Sequence, residues 1–490
     1  MRRAARAEPA RRSFLNTVTC RSGCPVPIAT IDPTTGKTLE TFEPLDAAGV
    51  EGCLTRAATA FEAHRTSTFE ERAALLRAAA GHLSLQREAV ARTVTTEMGK
   101  PLRQALAEVD KCVKAMNWYA GRAAGLLADE TPEPADVADA GAVRAVVRYR
   151  PLGPVLAVMP WNFPLWQVIR FAAPALMAGN VALLKHASNV PQTALLLEDV
   201  FTRAGYPRGC FQTLLIGSGA VEGVIRDPRV AAVTLTGSEA AGRSVAAIAG
   251  DEVKKTVLEL GGSDPFLVLP SADVARAAQV AVTARVQNNG QSCIAAKRFI
   301  VHRDVHDAFA AAFVARMAAL RVGDPAEEGV EVGPLATEGG RADLEELVDD
   351  AVRRGATVEC GGRRPVDRPD GWFYEPTVLT GITPEMRIHR EECFGPVATL
   401  YRVEDLAGAL ALANDTPFGL SSNAWTRDPE EQRLIARDLQ AGGVFFNGMT
   451  ASHPALPFGG VKRSGYGREL SAEGIREFCN ITTLWYGAES

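Results

Sequence analysis

The stretch NVALLKHASNVPQTALLLEDVFTRAGYPRGCFQTLLIG, residues 180–217, decides the fold. Its two apolar runs, 180–187 and 211–217, have the length and continuity of buried strands. Between them, residues 192–205 carry apolar side chains at helical spacing. A strand, a helix and a second buried strand in succession predict a parallel sheet, because parallel strands are covered on both faces and read as nearly continuous apolar runs.

The same alternation extends from Gly153 to about Leu260. It predicts further strands and helices, at 154–160 and 230–237 for the strands and at 219–227 and 238–250 for the helices. A second alternating region runs from PFLVLP at 265–270 to GGVFFNG at 442–448. We therefore expect two doubly wound α/β domains.

Composition limits the class of protein. A chain of 490 residues with 47% hydrophobic and 23% charged residues is globular and long enough for two or three domains. Its net charge of -5 argues against a nucleic-acid-binding protein, which is usually basic. Pro and Gly interrupt every long apolar stretch, so we expect no membrane helix. The nine irregularly spaced cysteines do not form a disulfide pattern, which favours a reducing cytoplasm.

The ends of the chain differ from its middle. Residues 1–24 are rich in arginine, and we expect a disordered extension of a cytoplasmic protein, with an organelle transit peptide as the alternative. The pair Cys20 and Cys24 has no second pair at zinc-like spacing, so no metal site is predicted. The pattern is helical from Asp46 to about Gly125, with Asp46 and Thr68 as helix caps. Half-exposed strands are predicted at 142–153 and at the C-terminal end.

Two glycine-containing turns could hold a dinucleotide. GSGAVEG at 217–223 is one residue too long for the usual fingerprint. TGSEAAG at 236–242 lies between a strand and a helix, where Gly237 permits a tight turn and Ser238 caps a helix whose amides would face a phosphate. A plain strand-to-helix turn explains it equally well. Lys185 follows a predicted strand and could bind a ribose or a phosphate. Ser188 occupies a position from which a carboxylate, if present, could bind the ribose hydroxyls.

Taken together, seven separated motifs resemble the aldehyde dehydrogenase superfamily over nearly the whole chain after residue 25. They are MPWNFPLW (159–166), KHAS (185–188), LTGS (235–238), LELGGSDP (258–265), NNGQSC (288–293), EECFGPV (391–397) and LPFGGVKRSGYGRE (456–469). The resemblance implies an α/β fold with two doubly wound domains and a β-arm for oligomerisation. It assigns residues 1–129 and 151–260 to a dinucleotide-binding domain, 261–466 to a catalytic domain, and 130–150 with 467–490 to the arm.

The resemblance also implies a mechanism. Cys293 matches the nucleophile, whose thiolate attacks the aldehyde carbon to give a thiohemiacetal and, after hydride transfer, a thioester that water hydrolyses. Glu259 matches the general base that deprotonates the thiol or activates that water. Asn162 matches the oxyanion donor, acting with the backbone N–H of Cys293. Without the resemblance, a small buried side chain would be the preferred interpretation of Cys293. A turn cap would likewise be the commoner role for an asparagine such as Asn162.

The cofactor residues are implied in the same way. Glu392 matches the residue that holds the nicotinamide ribose, and Phe394 is expected along the nicotinamide. The other positions that match cofactor-binding residues are Trp161, Lys185, Gly237, Ser238 and, through its backbone, Leu260. Members that prefer NAD usually have Glu at the position of Ser188, where a carboxylate would repel a 2′-phosphate. We therefore expect NADP as the preferred cofactor, with NAD possible.

The motifs most resemble the succinate-semialdehyde dehydrogenase branch. Arg170 matches an arginine that this branch uses to clamp the distal carboxylate of its substrate, and Ser452 could add a hydrogen bond. Some members carry a second arginine where this chain has Gln287. A single-arginine site leaves room for glutarate semialdehyde or for uncharged aliphatic and aromatic aldehydes. The resemblance further implies a homodimer or homotetramer.

Two other classes of protein compete with this interpretation. A non-catalytic binding protein with the same fold would be expected to lack Cys293 or Glu259, and both are present. A thiol hydrolase would need a histidine beside its cysteine, but none of the seven histidines stands in a recognisable catalytic motif. No metal is expected in any of these interpretations.

Overall fold

A computed structural model describes residues 27–139 and 141–487. The arginine-rich leader 1–24 and the pair Cys20 and Cys24, about which the sequence makes predictions, lie outside these residues. In the described part of the chain, no helix is both long and apolar enough to span a bilayer. The same residues contain no group of three or more His, Cys, Asp or Glu side chains arranged to hold a metal ion.

A six-stranded sheet forms one α/β unit. Its strands, in spatial order, are β16 (Gly465–Tyr466), β8 (Lys255–Glu259), β7 (Ala232–Thr236), β4 (Pro154–Met159), β5 (Val181–His186) and β6 (Phe211–Thr213). All pairs are parallel except that of β16 with β8. The predicted strands are therefore present, each shorter than the apolar run that predicted it. The resemblance assigns residues 465–466 to the catalytic domain. In the structure they form β16, the edge strand of the six-stranded sheet.

The strand order is that of a doubly wound sheet. The chain moves from β4 through β5 to the edge at β6, then returns to place β7 on the other side of β4. Ligands of such sheets bind at the carboxyl ends of the strands, where the order reverses. Trp161 and Asn162 follow β4, whereas Gly237 and Ser238 follow β7. The fold thus brings two predicted site segments to the reversal point.

A seven-stranded sheet forms the second α/β unit. Its strands, in spatial order, are β11 (Thr357–Cys360), β12 (Thr377–Thr380), β13 (Val397–Val403), β10 (Ala296–His302), β9 (Asp264–Val268), β14 (Asn423–Trp425) and β15 (Phe445–Phe446). Only β11 pairs in the antiparallel sense. Strand β10 begins three residues after Cys293, so the nucleophile candidate lies at the amino end of a central strand.

Helices connect and cover both sheets. Those before the second sheet are α1 (Ala47–His64), α2 (Phe69–Leu85), α3 (Arg87–Met98), α4 (Leu102–Leu126), α5 (Pro134–Val137), α6 (Trp166–Ala178), α7 (Pro191–Arg203), α8 (Val221–Arg226) and α9 (Glu239–Asp251). The later ones are α10 (Val274–Val286), α11 (Arg303–Ala318), α12 (Glu338–Arg353), α13 (Arg387–Arg390), α14 (Leu406–Asn414), α15 (Pro429–Asp438) and α16 (Ser471–Arg476). The core of the first unit includes α6, all of whose residues are buried.

The predicted helix caps are present. The side chain of Asp46 accepts a hydrogen bond from the backbone N–H of Gly49 at 2.7 Å. Thr68 forms a reciprocal capping box with Glu71, in which each side chain accepts from the other residue's backbone N–H. Both arrangements satisfy amides that the first turn of a helix leaves without partners.

Two further two-stranded ribbons lie outside the large sheets. One pairs β1 (Ile28–Asp32) with β2 (Lys37–Phe42). The other pairs β3 (Ala142–Pro151) with β17 (Cys479–Gly487) in antiparallel register along nearly their whole length. The second ribbon leaves Val143, Ile481 and Trp485 more than half exposed. It joins the two segments from which the sequence predicts an arm.

Candidate active site

The loop that carries Cys293 has an unusual backbone. Asn288, Asn289 and Gly290 have φ values of 56°, 57° and 72°, which place three consecutive residues in the left-handed region. Asparagine tolerates this region better than other non-glycine residues. At Gly290 a side chain would collide with the backbone of Gly395. The sequence NNG therefore reverses the chain between α10 and Cys293.

Buried polar groups fix this loop. The side-chain amide of Asn288 donates to the carbonyl oxygens of Asn162 at 2.6 Å and of Gln291 at 2.9 Å. Nζ of Lys297 donates to the carbonyl oxygens of Ser292 at 2.9 Å and of Cys293 at 2.8 Å. Because unsatisfied buried carbonyls are costly, these contacts favour a single position for the nucleophile candidate.

Cys293 is half-buried and lines a cavity of about 270 Å³. Burial raises the pKa of its thiol to about 12, while the positive charges of Arg170 and Lys297 oppose the rise. The thiol is therefore protonated at neutral pH, and a nucleophilic role requires a base. Eight of the predicted site residues line this cavity: Trp161, Asn162, Gly237, Ser238, Leu260, Cys293, Glu392 and Phe394.

Glu259 ends strand β8, immediately before Leu260 of the cavity wall. Its side chain is buried, and neither carboxylate oxygen has a hydrogen-bond partner within the described residues. Burial and the nearby carboxylate of Glu469 raise its pKa well above the usual value, whereas Arg170 acts in the opposite direction. A raised pKa favours the protonated form, but the carboxylate that remains is a stronger base than that of an exposed glutamate.

Asn162 lies in the loop before α6 and is buried. Its Nδ2 donates to the carbonyl oxygen of Gln291 at 3.0 Å. A side-chain amide nitrogen carries two N–H donors, so one remains available for a ligand oxygen. The hydrogen bond to Gln291 thus fixes Asn162 against the cysteine loop. Its second N–H can donate to a ligand in the cavity that Asn162 and Cys293 line.

The cofactor candidates form a wall of the same cavity. The rings of Trp161 and Phe394 meet edge to face with their centroids 5.8 Å apart. Oε1 of Glu392 accepts from the backbone N–H of Gly262 at 3.0 Å. Ser238 caps α9 by accepting from the backbone N–H of Ala241 at 3.3 Å. A Cβ atom on Gly261 would displace the Glu392 carboxylate from the position it has in this structure.

Lys185 and Ser188 do not line this cavity. Lys185 is the penultimate residue of β5, and burial lowers the pKa of its ammonium group. Ser188 is half-buried, and its carbonyl oxygen accepts from the backbone N–H of Ala29 at 3.0 Å. Neither residue carries a negative charge, so neither would repel an additional phosphate.

Arg170 lies in α6, and its guanidinium group is already engaged. It forms a buried ion pair with Glu469 and donates to Oγ1 of Thr236 at 3.2 Å. It also lies over the ring of Phe458, with 4.5 Å between Cζ and the ring centroid. The structure therefore gives Arg170 an internal carboxylate partner, and its role as a clamp for the substrate stays a prediction.

Ser452 lies outside the cavity that contains Cys293. It lines a separate space of about 40 Å³ together with Phe458 and Gly459. Its Oγ accepts a hydrogen bond from Nζ of Lys111 at 2.6 Å. A Cβ atom on Gly459 would lie 2.8 Å from Oε1 of Glu259, so this space extends from Ser452 towards the candidate base.

Comparison with known proteins identifies the family. Residues 21–484 match the model of the aldehyde dehydrogenase family, which is nearly the whole chain. The chain belongs to the aldehyde dehydrogenase family. The membership predicted from the seven motifs is confirmed, and so is the α/β fold class.

Among its relatives, the aldehyde dehydrogenase is 61% identical over 464 residues to the succinate-semialdehyde dehydrogenase (NADP+) of Mycolicibacterium paratuberculosis, covering 94% of this chain and 97% of the relative. A protein of the same name from Mycobacterium leprae is 60% identical, with 94% and 99% covered. Among solved structures, the succinic semialdehyde dehydrogenase of Streptococcus pyogenes in complex with NADP+ has a TM-score of 0.90 and 36% identity, with 94% and 100% covered.

Several residues of this aldehyde dehydrogenase site are missed by reasoning from the sequence. Lys297 contacts both the cysteine loop and Glu392, Glu469 pairs with Arg170, and Lys111 reaches Ser452. A doublet of asparagines before glycine was a usable signal for the left-handed loop. The lysines and Glu469 carry no comparable signal, because charged residues are common along the chain.

Proposed function

We propose that this aldehyde dehydrogenase oxidises succinate semialdehyde to succinate with NADP as hydride acceptor. The observation that carries the proposal is the cavity in which Cys293 and Asn162 face Glu392, Trp161 and Phe394. The names of relatives that are 60% and 61% identical support the substrate and the cofactor. The complex of the Streptococcus pyogenes enzyme with NADP+ supports the cofactor independently.

In the proposed mechanism, Glu259 removes the proton of the Cys293 thiol, whose high pKa makes a base necessary. The sulfur attacks the aldehyde carbon, and Asn162 with the backbone N–H of Cys293 stabilises the negative charge on the aldehyde oxygen. NADP, when bound, supplies the acceptor for the hydride. Glu259 first releases the proton of the thiol to solvent and, as a carboxylate again, removes a proton from the water that attacks the thioester. The C–S bond breaks, and the departing sulfur takes this second proton from Glu259, which regenerates the thiol and releases the acid.

The cofactor fits the residues present. The N-terminal end of α9, capped by Ser238, is suited to a pyrophosphate. The carboxylate of Glu392 can accept from ribose hydroxyls, and the contacting rings of Trp161 and Phe394 offer an apolar surface for a nicotinamide. We propose that Lys185 and Ser188 favour the 2′-phosphate of NADP, since neither repels a negative charge.

A broader substrate range is the second candidate, and Gln287 favours it. This residue lines a cavity of about 510 Å³, where a second arginine would strengthen the hold on a carboxylate. Glutarate semialdehyde and uncharged aldehydes therefore stay candidates as additional substrates.

We further propose that the two α/β units have different functions. The unit around the six-stranded sheet binds the dinucleotide, and the unit around the seven-stranded sheet supplies Cys293. The ribbon of β3 and β17, with exposed Ile481 and Trp485, pairs subunits in a homodimer or homotetramer.

All seven cysteines in the described residues are free thiols, which supports a cytoplasmic setting.

The test is formation of NADPH by the purified protein with succinate semialdehyde, compared with butanal, and a Cys293→Ala variant as control. We expect rapid NADPH formation with succinate semialdehyde and none from the variant. Oxidation of butanal in preference to succinate semialdehyde would refute the substrate. Inactivity with every aldehyde and with both NAD and NADP would favour the binding-protein interpretation.

A further inference from the structure

The cavity of about 510 Å³ contains a lysine that the proposed mechanism does not use. Lys111 lies in the middle of α4 and lines this cavity together with Phe163 and Gln287. Phe163 follows Asn162, which lines the cavity of Cys293. The loop that supplies the oxyanion donor therefore lines both cavities, of which one contains the nucleotide candidates and the other contains Lys111.

Lys111 is held in one position. Its Nζ donates to Oγ of Ser452 at 2.6 Å and lies 4.1 Å from the ring centroid of Trp166. Ser452 in turn shares a space with Gly459, which borders the Glu259 carboxylate. The lysine thus contacts a residue that lines the same space as the glycine beside the candidate base.

The ammonium group of Lys111 is near the carboxylate of Glu108 in electrostatic terms, but it does not form an ion pair with it. Within residues 27–139 and 141–487, Lys111 makes no ion pair with a carboxylate, although two carboxylates line its cavity. Glu108 is engaged with Lys100 and with the backbone amides of Leu165 and Trp166. Glu331 is exposed and accepts from the backbone N–H of Arg321.

Electrostatics agree with this lack of a partner. Burial, together with the positive charge of Arg170, lowers the pKa of Lys111 to about 8. Arg170 also acts on the pKa of the Cys293 thiol, so its guanidinium group lies near both residues. Arg170, however, has Glu469 as a counter-ion. A negatively charged ligand group would supply the partner that Lys111 lacks.

We propose that Nζ of Lys111, with Oγ of Ser452, binds the carboxylate that the substrate carries at the end distant from its aldehyde. The inference rests on the proposed function, because it requires a substrate with an aldehyde and a carboxylate at opposite ends. Gln287 is uncharged at the position where some members of the family carry a second arginine. Lys111 of helix α4 supplies a positive charge in its place. It determines specificity and takes no part in the chemical step.

The experiment compares kcat/KM for succinate semialdehyde with that for butanal, an uncharged aldehyde of equal chain length. Lys111→Met keeps an unbranched side chain of nearly the same length over Trp166 and removes its charge. We expect the ratio of the two kcat/KM values to fall roughly 10- to 100-fold, mainly through KM for succinate semialdehyde, as is usual for loss of a charge-assisted hydrogen bond. Lys111→Arg should restore most of the ratio.

Lys114→Met is the matched control, since Lys114 is exposed on the same helix and its loss should leave the ratio as in the wild type. An unchanged ratio in Lys111→Met, whether or not overall activity falls, would overturn the inference. If Lys111→Met does not fold, Lys111→Gln, which removes the charge and keeps a polar group for Ser452, is measured by the same ratio. A wild-type enzyme that prefers butanal refutes the proposed function. A wild type that prefers succinate semialdehyde, with a variant that keeps the preference, refutes only the role of Lys111.

Discussion

Nζ of Lys297 lies 3.1 Å from Oε1 of Glu392, the residue assigned to the nicotinamide ribose. The same nitrogen donates to the carbonyl oxygen of Cys293 at 2.8 Å. Lys297 is buried and is the second residue of the central strand β10. Its ammonium group therefore connects the cofactor side of the cavity to the loop of the nucleophile. The position of Glu392 and that of the cysteine loop should therefore depend on each other.

Replacement of Lys297 by Met tests this connection. The change leaves two buried carbonyl oxygens without a donor and Glu392 without its counter-ion, so the free energy of unfolding should fall by about 1–3 kcal/mol. KM for NADP should rise and kcat should fall together. Denaturant titration and steady-state kinetics measure both effects, with Lys255→Met as a control for loss of a half-exposed lysine. An unchanged KM for NADP would contradict the connection.

The raised pKa of Glu259 predicts the pH dependence of the reaction. Burial favours the protonated form, whereas a base acts when deprotonated, so kcat should increase with pH well above the usual range of a glutamate. Glu259→Gln should remove this ascending limb and lower kcat by about 10²–10⁴-fold. The measurement is the pH profile of kcat for both proteins.

Rapid mixing separates the two tasks of Glu259. If Glu259→Gln keeps a first burst of NADPH and loses only steady-state turnover, the residue serves hydrolysis of the thioester. Loss of the burst as well assigns it to deprotonation of Cys293. An ascending limb that persists unchanged in the variant would exclude Glu259 as the titrating base.

Asn162→Ala tests the oxyanion donor. One N–H of its side chain is used by Gln291, and the other is free for the aldehyde oxygen. Loss of such a donor should lower kcat by about 10²–10³-fold with little change in KM. Asn117→Ala, which removes an exposed asparagine on α4, is the control. An effect confined to KM would show that Asn162 acts in binding and not in stabilising the transition state.

The strands of the first sheet were predictable because burial on both faces makes a parallel strand apolar throughout. The runs around Val155, Leu183 and Val233 satisfy this condition, and each is a strand with its centre where the sequence places it. Asp46 and Thr68 were predictable as caps because a cap depends only on residues three positions away. The catalytic residues, in contrast, were found through the resemblance of whole motifs.

The contacts that tune the site were not predictable, since they join residues distant in sequence. Lys111 and Ser452 are 341 positions apart, and only the packing of α4 against the C-terminal loop brings them together. The engagement of Arg170 by Glu469 has the same origin. The pKa of Glu259 depends on burial and on Glu469, and neither can be read from the LELGG motif.

Ser188→Glu tests the choice of cofactor. A carboxylate near Lys185 would repel the 2′-phosphate of NADP and could accept hydrogen bonds from the ribose hydroxyls of NAD. We expect the ratio of kcat/KM with NADP to that with NAD to fall by about 100-fold or more, as juxtaposed like charges cost several kcal/mol. Ser188→Ala, which adds no charge, should change the ratio far less. A ratio that survives Ser188→Glu would refute this explanation of cofactor preference.

The buried pair of Arg170 and Glu469 allows the two roles of the arginine to be separated. Arg170→Met removes the cation that lowers the pKa of Glu259, so the ascending limb of kcat should move to higher pH. It also leaves Glu469 buried without a partner, which should cost about 3–5 kcal/mol of stability. If Arg170 also clamps the substrate, KM for succinate semialdehyde rises in Arg170→Met.

Glu469→Gln is the complementary change, because it frees the guanidinium group without removing it. A clamping arginine should then bind the substrate carboxylate more tightly, and KM for succinate semialdehyde should fall. The double variant Arg170→Met with Glu469→Gln should recover much of the lost stability, since no buried charge of the pair remains. If KM for succinate semialdehyde is the same in all three variants as in the wild type, Arg170 only holds Glu469 in place, and the substrate carboxylate is bound elsewhere.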